Sequence, residues 1–343
     1  MDAHGRATGA LPAFAADPDT MLTMYRAMVL VRAFDAKAVN LQRTGRLGTY
    51  PSCLGHEATH VGVGAALRAE DVMFPVYREV GTQFWRGVRP VDVLRYWGGD
   101  ERGTLFSATP EDFPFCIPIG SQMPQAAGAA MAFKVRRERR CALAFVGDGG
   151  TSQGAFYEAL NYAGVAKLPL VTVIVNNGWA ISMPVSLQTA APTLAHKAVG
   201  AGMPGVRVDG NDVIGVRQVL ESALARARDG GGPSLIEAVT YRLADHTTSD
   251  DAGRYRSSTE VEAARSAEPM LRTRQYLVAN AWWDQAREAQ LLLECAAIIE
   301  AAVTDYLATP LQHTDAMFDY LYERPHAALL RQRLAARRPP GSG

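Results

Sequence analysis

Cysteine is scarce and scattered in this chain. Cys53, Cys116, Cys141 and Cys295 include no C-x-x-C pair, which argues against a paired-cysteine metal or redox motif and against a disulfide framework. A reducing cytoplasm is the expected setting. An excess of one charge is also missing: 35 Lys and Arg balance 35 Asp and Glu, for a formal net charge of zero. Without a basic excess, neither nucleic acid nor an anionic membrane surface is an expected partner. No apolar run approaches the roughly 20 residues of a membrane span. The first residues show no basic region followed by an apolar stretch, so no secretory signal is expected. What is present is 343 residues, 48% apolar and 20% charged, a globular composition of ordinary size for an α/β enzyme subunit. Zero net charge gives little colloidal repulsion and suits life in an assembly.

Residues 1–16 are rich in Ala and Gly, lack periodicity, and read as a flexible arm. Asp17-Pro18-Asp19-Thr20 reads as a helix start, with a capping side chain and an early Pro. Leu22, Tyr25, Met28, Val31, Phe34, Ala38 and Leu41 then recur at helical spacing. A small-residue helix is expected over 56–68, a strand over 72–75, and a second small-residue helix over 122–137, with one face available for subunit or intradomain packing. The middle is an α/β alternation: strand 142–146, helix 153–166, strand 170–175, helix 193–201, strand 205–208, helix 213–229 and strand 234–240. That pattern implies a mainly parallel sheet covered by helices. Residues 245–257 are polar and read as a loop. The division expected is an α/β domain over 17–258, a helical C-terminal extension over 259–337, and a tail over 338–343.

Ligands of open parallel sheets bind beyond the carboxyl ends of the strands. Asp148, in Gly147-Asp148-Gly149-Gly150, and Asn177, in Asn176-Asn177-Gly178, stand at two such ends. The helix between them returns the chain to the same edge. A carboxylate and an amide oxygen are hard ligands suited to magnesium, which completes its shell with phosphate and water. Gly147, Gly149 and Gly150 let the backbone approach an anion, and the next helix directs its N-terminal amides there. Alone, Gly-Asp-Gly is commonly a turn; following a buried strand and meeting Asn-Asn after the next one, it reads as a metal-bound diphosphate site.

These residues, with the flanks Thr151-Ser152-Gln153-Gly154 and Trp179-Ala180-Ile181-Ser182, resemble the thiamine diphosphate signature of the α subunits of two-subunit 2-oxo acid dehydrogenase E1 enzymes. The resemblance extends over roughly residues 20–330. It implies the thiamine diphosphate-binding fold, thiamine diphosphate and Mg2+ as cofactors, and metal ligation by Asp148, Asn177 and the Trp179 carbonyl. It further implies that Gly149 and Gly150 face the diphosphate, and that Tyr77 and Arg78 match the family's Tyr-Arg pair. Ile117 and Ile119 would cup the aminopyrimidine. His246, in Asp245-His246-Thr247-Thr248-Ser249-Asp250-Asp251, would bind cofactor and serve acyl transfer, as donor or proton carrier. Without the resemblance, Arg78 reads as a surface arginine, Ile117 and Ile119 as strand core, and His246 as structural.

The activity implied is oxidative decarboxylation of a 2-oxo acid, with pyruvate the main reading, and reductive acylation of the lipoyl group of E2. Branched-chain 2-oxo acid dehydrogenase and acetoin dehydrogenase α subunits are the alternatives. The partners implied are an E1 β subunit, in an α2β2 heterotetramer, which supplies the Glu that activates the cofactor ring, and an E2 lipoyl domain. The sequence departs from relatives in lacking a His near Leu105, Phe106 and Ser107 and another where Pro51 stands, which bears on substrate identity. Ser121 and Gln122 resemble a monovalent-cation site, with Cys116 and Ile117 departing from it. Thr247 stands where kinase-regulated relatives carry Ser. A transketolase-type half is disfavoured by the 245–257 loop. A non-catalytic nucleotide-binding Rossmann-like protein is disfavoured because Ser152 occupies the third glycine position.

Overall fold

The runs at 142–147 and 170–176 are apolar at successive positions, and a strand of that kind must be covered on both faces. A computed structural model, which describes residues 1–337, shows how. Strands β1 (Val72–Phe74), β2 (Ala142–Gly147), β3 (Leu170–Asn176), β6 (Gly205–Asp209) and β7 (Ser234–Val239) form one sheet. Its order is β1-β2-β3-β7-β6 and every pairing is parallel. A two-residue hairpin, β4 (Trp179–Ala180) with β5 (Met183–Pro184), lies outside it. Successive side chains point to opposite faces. Ala144, Val146 and Ile174 meet α5 (Gln122–Arg136) and α6 (Gly154–Ala166) through Met123, Ala126, Phe133, Phe156 and Leu160. Leu143, Phe145, Val171 and Val173 meet α2 (Glu57–Ala66) and α8 (Val213–Arg228) through Val63, Val216, Leu220 and Leu224. The outward face of α5, with Pro124, Gln125 and Gly128, is exposed.

Helix α1 (Pro18–Arg43) begins where expected, the Asp17 carboxylate accepting from the Thr20 amide at 3.1 Å. Its apolar stripe joins α10 (Pro269–Ala279) and α11 (Gln285–Leu307) to the body of the protein. Met21, Met24 and Met28 pack with Met270, Leu277 and Leu291, and Phe34 and Ala38 with Ile299 and Val303. The helices α3 (Val80–Trp85), α4 (Pro90–Trp97), α9 (Ser258–Arg265), α12 (Ala316–Asp319) and α13 (Ala327–Ala336) complete the set with α7 (Lys197–Gly200).

Several expectations shift. The reading of 193–201 as one helix gives way to a 3-10 turn, Leu194–His196, and the single turn of α7. Residues 1–16 are not loose: Ala15 is buried, its carbonyl accepts from the Tyr276 hydroxyl at 2.8 Å, and the Met1 carbonyl accepts from Arg272 at 3.2 Å. The segment shows no apolar period because a few isolated contacts hold it: Met1, Phe14 and Ala15 pack against the core, and the Met1 and Ala15 carbonyls accept from Arg272 and Tyr276. The tail 338–343 lies outside the described residues.

Candidate functional site

Register places the first two site residues. Gly147 of β2 stands opposite Val175 of β3, so Asp148 and Asn177 leave the sheet side by side. They open into a cavity of about 530 Å³. The ten residues expected to hold cofactor or metal all line it, Tyr77, Arg78, Ile117, Ile119, Asp148, Gly149, Gly150, Asn177, Trp179 and His246, whereas Ser121 of the cation-site likeness does not. Pro51 lines it too, whereas Leu105, Phe106 and Ser107 do not.

On the sheet side, Asp148 and Asn177 are buried. The Asp148 carboxylate accepts one hydrogen bond, from the Gln188 side-chain amide at 3.0 Å, and burial raises its pKa. A buried carboxylate held by a neutral amide is relieved by a cation. The Asn177 side-chain oxygen accepts from the Trp179 amide at 3.2 Å, leaving its second lone pair for a ligand. Gly149 opens a 3-10 turn that runs to Ser152 ahead of α6. A Cβ on Gly149 would stand 2.5 Å from that of Ala180, and one on Gly150 would stand 2.6 Å from Cγ2 of Val146. Packing therefore demands both glycines, in addition to any demand made by a phosphate. Gly147 has open space where its Cβ would be.

On the loop side stand two buried guanidiniums, Arg78 and Arg242, the latter among the largest fully buried side chains of the described residues. Arg78 donates to the carbonyls of Ser52 and, at 3.1 Å, His246. Arg242 donates to the carbonyls of Trp179 at 3.2 Å and Ile181 at 2.8 Å, and to the Tyr255 hydroxyl at 2.7 Å. The Arg242 Nε has no partner. Every acceptor of the two guanidiniums is neutral. The nearest carboxylates act at one remove: Glu79 is the chain neighbour of Arg78, and Asp250 is reached from Arg242 through the Tyr255 hydroxyl. Each guanidinium can therefore take a further anionic acceptor, and burial pushes the Arg242 pKa down.

His246 lies between them. Its Nδ1 sits 3.3 Å from Arg78 and 3.2 Å from Arg242. Both neighbours are donors, so Nδ1 accepts and the ring proton belongs on Nε2. Burial first, then the two guanidiniums, pull its pKa down to about 3. The ring is a neutral donor at physiological pH, which removes the option of a readily protonated carrier in this state. Its backbone amide donates to Asp250 at 2.9 Å, and Asp250 also accepts from the Tyr255 hydroxyl at 2.5 Å. Ile117 and Ile119 are 46% and 41% exposed at the mouth, so they are rim residues and not strand core. Gln122 lines the cavity while its amide group donates to the Phe145 carbonyl at 2.6 Å.

Sequence reasoning missed Arg242, Gln188 and His56, which also line or brace the cavity. For Arg242 a signal existed. It follows β7 by three residues, at the same carboxyl edge that drew attention to Asp148 and Asn177. Gln188 had none, because only the β4–β5 hairpin brings it back to Asp148.

The donor set fits a magnesium-bound diphosphate. Among the described residues no cluster of three His, Cys, Asp or Glu could hold a metal. An ion at Asp148 and Asn177 would therefore need phosphate and water to fill its shell, as magnesium does in nucleotide sites. Arg78, which lines the cavity, is the cation such a phosphate would meet, with Arg242 buried behind it.

A family model described as the dehydrogenase E1 component matches residues 25–314. The chain is 50% identical over 273 residues to the 3-methyl-2-oxobutanoate dehydrogenase subunit alpha of Mycobacterium tuberculosis, covering 80% of this chain and 74% of the relative. It is 42% identical over 274 residues to the pyruvate dehydrogenase E1 component subunit alpha of Acholeplasma laidlawii, covering 80% and 79%. With the protein of that name from Staphylococcus aureus it shares 38% identity over 306 residues, covering 89% and 83%.

Proposed function

We propose, from the premise that the chain belongs to the dehydrogenase E1 component family as an α subunit, that it holds the diphosphate end of thiamine diphosphate for a branched-chain 2-oxo acid dehydrogenase. The observation that carries the cofactor reading is the pairing of two charge demands in one cavity. Buried Asp148 accepts only from a neutral amide, and the side chains of buried Arg78 and Arg242 donate only to neutral acceptors, so none of the three is in a direct ion pair. A magnesium diphosphate answers both at once.

In this reading Asp148, Asn177 and the Trp179 carbonyl hold Mg2+, while the Gly149 and Gly150 amides and Arg78 hold the phosphates. Tyr77 stands against both the Arg78 guanidinium, 5.4 Å from its ring centroid, and the His246 ring. Ile117 and Ile119 form an apolar lip for the aminopyrimidine. The neutral His246 presents its Nε2 proton towards the reaction space, where a donor can orient an acyl or lipoyl oxygen or sulfur. The bound cofactor supplies the electron sink for decarboxylation. A β subunit would complete the site and activate the ring, and an E2 lipoyl domain would take the acyl group. The division into an α/β domain over 17–258 and a helical extension over 259–337 belongs to the same proposal.

The substrate reading moves away from the pyruvate expectation. Higher identity to the 3-methyl-2-oxobutanoate enzyme than to the pyruvate enzymes supports the branched-chain alternative, and Pro51 in the cavity wall adds apolar surface where some pyruvate enzymes have His. The test uses the chain co-purified with its β partner. Calorimetric titration with thiamine diphosphate and Mg2+ should show saturable binding that Asp148→Ala abolishes; unchanged binding in the variant would sink the cofactor assignment. Steady-state kinetics should favour 3-methyl-2-oxobutanoate over pyruvate by about 10- to 100-fold in kcat/KM, the range that a few methyl groups in an apolar pocket can provide. A preference for pyruvate would restore the first expectation.

A further inference from the structure

Asp35 is a carboxylate in the apolar face of α1, 4% exposed, between the core residues Phe34 and Ala38. Burying a charge there is costly unless its lone pairs are satisfied. Its partners all come from one short segment. Oδ1 accepts from the Tyr50 hydroxyl at 3.0 Å and the Cys53 amide at 2.7 Å, and Oδ2 accepts from the Ser52 hydroxyl at 2.6 Å. Burial, reinforced by this carboxylate, pushes the Tyr50 pKa far up and keeps its hydroxyl a donor.

The other side of the same segment faces the cavity. The Ser52 carbonyl accepts from Arg78. The Tyr50 amide donates to the Thr248 hydroxyl at 3.0 Å, and the Thr248 amide donates to the Tyr50 carbonyl at 2.9 Å. The Thr49 and Ser249 hydroxyls lie 3.0 Å apart, and the Leu243 amide donates to the Leu54 carbonyl at 3.1 Å. Residues 49–54 are therefore stitched along the loop that carries His246, and Asp35 braces them from behind. Among the described residues, Asp35 is the α1 side chain that hydrogen-bonds to the segment.

We propose that Asp35 is a positioning residue: from α1 it sets the 50–53 segment, which in turn holds Arg78 and the His246 loop against the cavity. What the cavity holds rests on the function proposed above; the brace itself does not.

The test is hydrogen exchange, read by mass spectrometry, on the chain assembled with its β partner, without and with thiamine diphosphate and Mg2+. In Asp35→Asn one acceptor oxygen becomes a donor at nearly constant volume. Amides of 246–250 should exchange about tenfold faster, the effect of one weakened hydrogen bond to a charged group, while β2 and β3 keep their rates. Thr248→Val should loosen the same amides, and the double variant should be no looser than the looser single, because both act through one link. Uniform acceleration across α1 and the sheet, or additive effects of the two variants, would overturn the inference. If Asp35→Asn does not assemble, Ser52→Ala removes one donor and leaves the carboxylate in place. Unchanged exchange at 246–250 in that variant is equally fatal. The cofactor-free arm judges Asp35 alone; a wild-type complex that gains no protection from cofactor counts against the cavity's proposed occupant and not against the brace.

Discussion

The cavity has two walls built in different ways. The sheet wall, with Asp148, Gly149, Gly150 and Asn177, is set by strand register: β2 beside β3, Gly147 opposite Val175. The loop wall, with Arg78, Arg242 and His246, is set by hydrogen bonds between segments far apart in the chain, 52 with 78, 179 with 242, 78 with 246. The sheet wall supplies acceptor oxygens and the loop wall supplies cations. One wall is rigid because moving it would break a buried ladder; the other is held by polar contacts that water can replace.

Arg242 is the sharpest place to break the contrast. Arg242→Met removes the donor to Trp179, Ile181 and Tyr255 at once. Losing a buried charged donor costs binding steeply, so cofactor affinity should fall by about 100-fold in calorimetry, with faster proteolysis in 245–257 and intact sheet exchange. The sheet wall should respond in the opposite manner. Gly150→Ala forces a Cβ against Val146 and should lower stability by about 1–3 kcal/mol in denaturant unfolding. Gly147→Ala, which meets open space, should leave stability within about 0.5 kcal/mol while weakening cofactor binding. Equal losses of stability in the two variants would contradict the packing account of the glycines.

His246→Ala should slow lipoyl acylation more than decarboxylation. Because the ring of the cofactor-free protein is neutral with a pKa near 3, its NMR titration over about pH 6 to 8, without cofactor, should show no inflection from this residue. An inflection there that vanishes in the variant would show that the imidazole titrates. The smallest effect expected is on acid stability. His246 and His60 are both held down to about 3, against an ordinary value of 6.5, burial being the first cause in each. Above about pH 6.5 folded and unfolded forms are alike in charge at these rings. As pH falls from 6.5 towards 3 the unfolded chain takes up protons that the fold refuses, so stability declines across that window. Replacing His60 by Gln should flatten the decline in a melting series; an unchanged slope would argue against a buried neutral ring.

Much of the sheet wall was legible in the chain. Successive apolar β-branched residues announce strands covered on both faces, and glycines after them announce the strand ends, because these are local consequences of period and turn chemistry. Asp148 and Asn177 could be found that way, and Arg78 and His246 through their likeness to a known motif. The tight hairpin at 179–184 and the short helices of 80–97 gave no comparable period, being too short to repeat one.

By itself, then, the sequence determined the α/β alternation, the start of α1 at Asp17, and the two hard oxygens at neighbouring strand ends. Tertiary structure decided what those oxygens face. Arg242 turns from a residue three past a strand into the centre of the loop wall only when β7 lies beside β3 and carries it to Trp179. Likewise, His246 becomes a neutral donor only because two guanidiniums from distant segments meet at its Nδ1. Charge state depends on burial and on neighbours within a few ångströms, and neither is a property of position along the chain.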